Sequence, residues 1–95
     1  MSQKDAYEKK IQAKLDEVSA EIERLQAKAR EAEADAEIAY NKQIDELRKK
    51  HEELKNKLDE VMHAGEDAWK DIKAGAELAY ESLSDALKSA TSRFK

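Results

Sequence analysis

Residues 11–36 read IQAKLDEVSAEIERLQAKAREAEADA, and this stretch decides the fold class of the chain. Its apolar side chains, from Ile11 to Ala36, are separated by alternating steps of four and three residues. An α-helix makes one turn in 3.6 residues, so these side chains lie along one side of a helix. A strict heptad sustained over more than three repeats is typical of a left-handed coiled coil. The stretch therefore predicts an all-α protein.

Toward the carboxyl end, the apolar stripe changes phase near Tyr40 and Asn41 and then resumes from Ile44 to Val61. Neither glycine nor proline stands at the phase shift, and a stutter of this kind unwinds a coiled coil locally without ending the helix. We therefore expect one long heptad coiled-coil helix over residues 1–63. Its larger apolar residues form an apolar seam, which we predict to be an oligomer interface: Ile11, Leu15, Val18, Ile22, Leu25, Leu47, Leu54, Leu58 and Val61.

Residues 64–95 follow a different pattern, an eleven-residue repeat headed by Ala68, Ala79 and Ala90. Eleven residues in three turns give about 3.67 residues per turn, which keeps one face of a helix almost straight. The segment is predicted to be a second, amphipathic helix that forms a single structural unit with the first. Its C-terminal apolar face consists of Trp69, Ile72, Tyr80, Leu83, Leu87 and Phe94.

The boundary between the two segments is expected near Gly65, in the stretch MHAGED. A glycine can end a helix in the left-handed conformation, and the acids Glu66 and Asp67 suit the first turn of a following helix. The stripe nevertheless keeps its phase from Val61 to Ile72. The sequence leaves open a hairpin turn and a kinked, nearly continuous helix.

Composition indicates that the helices need a partner surface. Charged residues make up 42% of the 95 residues and aromatic residues 5%, and the commonest apolar residue is alanine, which buries little area per side chain. The absence of proline and the dominance of strong helix formers argue against disorder. We therefore expect an oligomeric helical bundle or coiled coil, most simply a homo-oligomer.

Charge excludes one class of partner. The formal net charge is -4 and the pI is near 5.3, whereas binding to a nucleic acid needs a concentrated basic face. Residues 31–46 are distinctly negative, with one basic and six acidic side chains. With no cysteine and a polar amino terminus, the sequence predicts a cytoplasmic protein.

No pattern in the sequence predicts catalysis, a cofactor or a metal site. The serines near the carboxyl end have no histidine on their own segment to act as a base. Glu60 and His63 have the E-x-x-H spacing of di-iron bundles, but those sites need a second copy and further carboxylates. The run EAEADAE over residues 31–37 lacks the turning loop and glycine of a calcium site. We predict that the protein is not an enzyme.

The string from Gly65 to Trp69, GEDAW, continues through Gly75 to a terminal SATSRFK and follows a charged heptad helix. In these features the chain resembles short bacterial coiled-coil proteins of unknown function, and the resemblance covers most of its length. It implies a coiled-coil fold and carries over no activity or site residue. The eleven-residue period is also similar to that of apolipoproteins, synucleins and some desiccation-stress proteins, in period alone.

Two functions fit this sequence. The first is a non-enzymatic structural or scaffold protein that self-associates through helical coiled-coil packing, with or without a further protein partner. The second is peripheral binding to a membrane or other lipid surface through residues 68–94, where an edge tryptophan accompanies the apolar face. The polar face of that helix is not basic, which weakens the second hypothesis.

Overall fold

The computed structural model describes residues 2–93, and this part of the chain forms three α-helices. Helix α1 runs Gln3–Glu31, helix α2 runs Ala34–His63 and helix α3 runs Trp69–Arg93. No strand occurs among residues 2–93, which confirms the all-α fold class. Phe94, which the sequence assigns to the C-terminal apolar face, lies outside the described residues.

The structure corrects the expectation of one long helix over residues 1–63. The backbone is extended at Ala32 and Glu33, with ψ angles of 156° and 160°. The chain reverses there, and α2 packs antiparallel to α1, so that the Lys4 ammonium donates a hydrogen bond to the Met62 carbonyl oxygen at 3.2 Å. The segment is a helical hairpin of α1 and α2, and α2 runs unbroken through the phase shift, as expected.

Burial explains this reversal, because the local sequence favours continuing the helix. Residues 31–37 contain only Ala, Glu and Asp, with no glycine or proline. Interrupting a helix loses a few backbone hydrogen bonds, each with a net worth of about 1 kcal/mol. Folding α2 back on α1 buries many aliphatic side chains, each worth about 1.5–3 kcal/mol. The long-range gain therefore exceeds the local loss.

The second turn lies where the sequence predicts it and is a hairpin, not a kink. Helix α2 is capped by Ala64, which has extended backbone (φ -80°, ψ 149°), and the Trp69 amide donates to the Gly65 carbonyl oxygen at 3.3 Å. Helix α3 then runs antiparallel to α2, as the hydrogen bond from Lys50 to Ser82 indicates. No glycine within residues 2–93 has a positive φ, so the expected left-handed helix end at Gly65 is wrong.

The three helices share one hydrophobic core and form a rod of 51 × 20 × 19 Å. Helices α1 and α3 run parallel, because Tyr7 lies beside Trp69 at one level and Lys10 beside Tyr80 further along. The chain is thus a single up-down-up bundle. Its buried apolar residues are Tyr7, Ile11, Leu15, Val18, Ile22, Leu25, Ala29, Ile44, Leu47, Leu54, Leu58, Val61, Trp69, Ala76, Leu83, Ala86, Leu87 and Ala90.

Candidate functional site

The nine residues of the apolar seam are buried between helices of one chain. Five lie on α1 and four on α2, and all nine belong to the common core. An apolar side chain that its own chain already covers has little area left to bury against a second chain. In the folded bundle, contacts with another copy must therefore use other surfaces.

The C-terminal apolar face is also largely covered. Trp69, Leu83 and Leu87 are buried, and Ile72 and Tyr80 are half-buried against the core. A lipid surface would reach these side chains only if α3 moved away from the other helices. None of the helices within residues 2–93 is long and apolar enough to cross a membrane.

Lysine ammonium groups lie over aromatic rings along the border between α1 and α3. The Lys10 ammonium is 4.8 Å from the centre of the Tyr80 ring. The Lys73 ammonium is 5.4 Å from the centre of the Tyr7 ring and 5.9 Å from that of the Trp69 ring. The two rings next to Lys73 pack on each other, with their centres 5.8 Å apart. Cations attracted to the faces of these rings therefore join α1 to α3.

This border opens into a cleft of about 430 Å³, here called the lysine–aromatic cleft, which is lined by Gln3, Ala6, Tyr7, Lys10, Trp69 and Lys73. One of its two ammonium groups is partly balanced, since Lys10 Nζ lies 3.6 Å from Glu77 Oε1. The other, on Lys73, forms no ion pair with any carboxylate of residues 2–93. The cleft thus combines aromatic surface with excess positive charge.

Tyr7 forms the floor of this border and is 7% exposed. Burial, followed by the nearby Glu77 carboxylate, raises the pKa of Tyr7 well above its ordinary value. Both effects disfavour a phenolate, because a charged oxygen loses its hydration on burial and is repelled by a carboxylate. Tyr7 therefore stays protonated at neutral pH and cannot act as a base.

The structure brings together one serine and one histidine that the sequence did not pair. Ser19 on α1 faces His51 on α2, with 3.1 Å between Oγ and Nε2. The same Nε2 lies 3.1 Å from the Leu15 carbonyl oxygen, which can only accept a hydrogen bond. The Nε2 atom must donate in that contact, so it has no lone pair with which to take a proton from Ser19. The contact links two helices and does not activate a nucleophile.

The E-x-x-H pair considered as a metal motif does not converge on one point. The Glu60 carboxylate lies 3.2 Å from the Lys57 ammonium. His63 Nδ1 lies 2.7 Å from the Asp59 carbonyl oxygen, one turn back on the same helix. Among residues 2–93, no three or more His, Asp or Glu side chains are grouped so that they could hold a metal ion.

At the far end of the rod, the turn between α1 and α2 carries unpaired negative charge. We call it the acidic turn and define it by four exposed carboxylates, those of Glu31, Glu33, Asp35 and Glu37. None of these four belongs to an ion pair within residues 2–93. Beside them, the Ile38 side chain is 68% exposed. The turn thus offers acid and apolar surface together.

Comparison with known proteins adds no relative. No protein-family model matches the chain, and neither curated proteins nor solved structures give a significant match. The resemblance to short bacterial coiled-coil proteins therefore stays a prediction. What the geometry defines is a class, a three-helix bundle.

Proposed function

We propose that the protein is a non-enzymatic structural or scaffold protein whose folded bundles associate with one another. The observation that carries this proposal is that large apolar side chains stay exposed on a rod whose seam is already covered. Met62 is 52% exposed at the end where α1 begins, Ile38 is 68% exposed near the opposite end, and Leu78 is 69% exposed on α3. A second bundle could remove this apolar area from water.

The polar chemistry of the bundle supports a non-catalytic role. The Ser19–His51 contact is oriented the wrong way for proton abstraction, and Tyr7 holds its proton. The remaining histidine, His63, donates from Nδ1 to the Asp59 carbonyl oxygen of its own helix. As part of this proposal the protein is cytoplasmic, which its cysteine-free sequence suits.

Sedimentation equilibrium of the purified chain tests self-association directly. The experiment covers a hundredfold concentration range in low-salt buffer, with the helical circular dichroism signal recorded on the same samples. A weight-average mass that rises with concentration while the signal stays constant would support association of folded bundles. A monomer mass throughout the range would overturn the proposal.

A second candidate is reversible binding to a lipid surface through α3. The border between α1 and α3 favours it, because cation–π contacts at exposed sites contribute only about 0.5–1 kcal/mol each. Helix α3 would swing out and turn Trp69, Leu83 and Leu87 toward the acyl chains. Lipid binding requires the bundle to open, whereas association of closed bundles does not. We therefore rank lipid binding second.

Trp69 provides the test of lipid binding. Trp69 is already buried in the bundle, so the position of its emission would not distinguish the closed bundle from a lipid-inserted α3. Quenching by the lipid is therefore the better signal. Vesicles of phosphatidylglycerol with brominated acyl chains should quench Trp69 if α3 inserts. Unchanged emission in brominated and ordinary vesicles alike would eliminate this candidate for such membranes.

A further inference from the structure

The lysine–aromatic cleft has the chemistry of a site for an acidic group. The nearly buried Trp69 and Tyr7 rings lie beneath it, and its rim carries the Lys10 and Lys73 ammonium groups. Only Lys10 has a carboxylate within ion-pairing distance, at 3.6 Å. An incoming carboxylate would therefore find an ammonium group that no other carboxylate of residues 2–93 neutralises.

The acidic turn supplies the complementary chemistry on the same chain. Its four carboxylates are exposed and lack ion pairs within residues 2–93, and the neighbouring Ile38 is exposed as well. Carboxylates of the turn would meet ammonium groups of the cleft. The two surfaces thus match each other in charge.

A single bundle cannot join these two surfaces. The cleft contains Tyr7, near the start of α1, and the acidic turn begins at Glu31, where α1 ends. The stretch of α1 from Tyr7 to Glu31 holds them about 36 Å apart, since a helix rises about 1.5 Å per residue. Any contact between the two surfaces must involve two chains.

We propose that the acidic turn of one copy docks into the lysine–aromatic cleft of a second copy, so that bundles join head to tail. This inference rests on the proposed function and names its contact surfaces. Different patches of the two copies meet, so each added bundle leaves a free cleft at one end and a free turn at the other. A heterologous contact of this kind gives open chains rather than a closed dimer.

The proposed contact should weaken as the salt concentration rises, because it pairs carboxylates with ammonium groups. Exposed ion pairs contribute little individually and are screened, with a Debye length of about 10 Å at 0.1 M salt. Assembly should therefore be weak and should lose affinity about tenfold or more between 0.05 and 0.5 M sodium chloride.

Charge reversal tests the pairing. One variant, Lys10→Glu with Lys73→Glu, reverses the charge of the cleft. Another variant reverses the charge of the turn through three changes, Glu31→Lys, Glu33→Lys and Asp35→Lys. Each alone is expected to remain monomeric, because like charges then meet at every contact. An equimolar mixture should form open chains in which the two variants alternate, because the unchanged turn of one fits the unchanged cleft of the other and the two reversed surfaces also attract each other. The variant that combines all five changes should again form open chains.

Controls separate the failure of this inference from that of the proposed function. Lys49→Glu with Lys55→Glu makes the same charge change on the exposed face of α2 and should assemble as the wild type does. Circular dichroism checks that each variant folds. If the cleft-reversed variant unfolds, Lys10→Gln with Lys73→Gln replaces it. This neutralised variant should assemble at least tenfold more weakly than the wild type.

Three results overturn the head-to-tail contact. Wild-type assembly with unchanged assembly of both reversed variants would mean that bundles associate through other surfaces. Reversed variants that stay monomeric when mixed would exclude pairing of these two surfaces. A wild type that is monomeric at every concentration would overturn the proposed function as well.

Discussion

The aliphatic core and the border between α1 and α3 hold the same bundle together by different physics. In the core, residues such as Leu47, Leu54 and Leu83 are fully covered, and burial of area contributes nearly all the stabilisation. At the border, lysine ammonium groups lie over Tyr7, Trp69 and Tyr80, and part of the contact stays open to solvent. The well-packed seam therefore holds the fold, whereas the looser border leaves lysine ammonium groups partly exposed to solvent.

The largest expected effect comes from truncating the core. Leu54→Ala should lower the free energy of unfolding by about 2–5 kcal/mol, because Leu54 is completely buried and its loss leaves a cavity. Urea denaturation followed by circular dichroism measures the change. Leu78→Ala on α3 is the matched control: this leucine is 69% exposed, and its removal should cost less than about 0.5 kcal/mol. Equal losses for the two variants would contradict the packing described.

An intermediate effect is expected at the border. Lys73→Gln removes the ammonium group from the faces of Tyr7 and Trp69 and should cost about 0.5–1 kcal/mol. Lys70→Gln, on the same helix but away from these rings, should leave the unfolding midpoint unchanged. If the two substitutions have the same effect, the contacts of Lys73 with the rings do not contribute to stability.

The smallest effect at neutral pH is expected for Tyr7→Phe, because its buried hydroxyl has no well-formed hydrogen bond within residues 2–93. The difference should grow in alkali. The unfolded chain ionises Tyr7 near its ordinary pKa of 10.0, whereas the folded chain keeps the proton to higher pH. Above about pH 10 the folded state therefore binds more protons, and wild-type stability falls as pH rises.

Urea denaturation of wild type and Tyr7→Phe at several pH values between 8 and 11 isolates this contribution, since both proteins share the titration of their lysines. The stability of Tyr7→Phe should increase relative to the wild type as pH rises through 10. A difference that does not change with pH would mean that the folded environment leaves the pKa of Tyr7 where it is in the unfolded chain.

The sequence predicted those parts of the fold that depend on local pattern. The heptad steps identified the buried faces of α1 and α2, and Gly65 marked the second turn correctly, although Ala64 and not a left-handed glycine ends the helix. The first turn, at Ala32 and Glu33, left no local signal, because strong helix formers occupy it. It is set by burial between residues far apart in sequence, which a periodicity within one segment cannot reveal.

The candidate site was harder to predict from the sequence, because it too depends on contacts between residues far apart in the chain. Trp69 and Tyr80 stood at the edge of an apolar stripe in the sequence, which suits the half-open border where they lie. The lysines that cover the rings come from α1 as well as α3, and nothing in the spacing within either helix pairs Lys10 with Tyr80. Only the reversal of the chain at both turns brings these side chains together.

In this fold the apolar seam closes within one chain through the reversal at Ala32 and Glu33. Spin labels on exposed positions of α1 and α2, through Glu23→Cys and Lys49→Cys in this otherwise cysteine-free chain, test it by pulsed electron resonance. In the hairpin the two labels sit on neighbouring helices about 8–10 Å apart between axes, so a separation of roughly 15–30 Å is expected. That separation should persist when labelled protein is diluted into a large excess of unlabelled protein. A separation of about 39 Å, the rise of a continuous helix between these positions, or a short distance that disappears on dilution, would contradict the account.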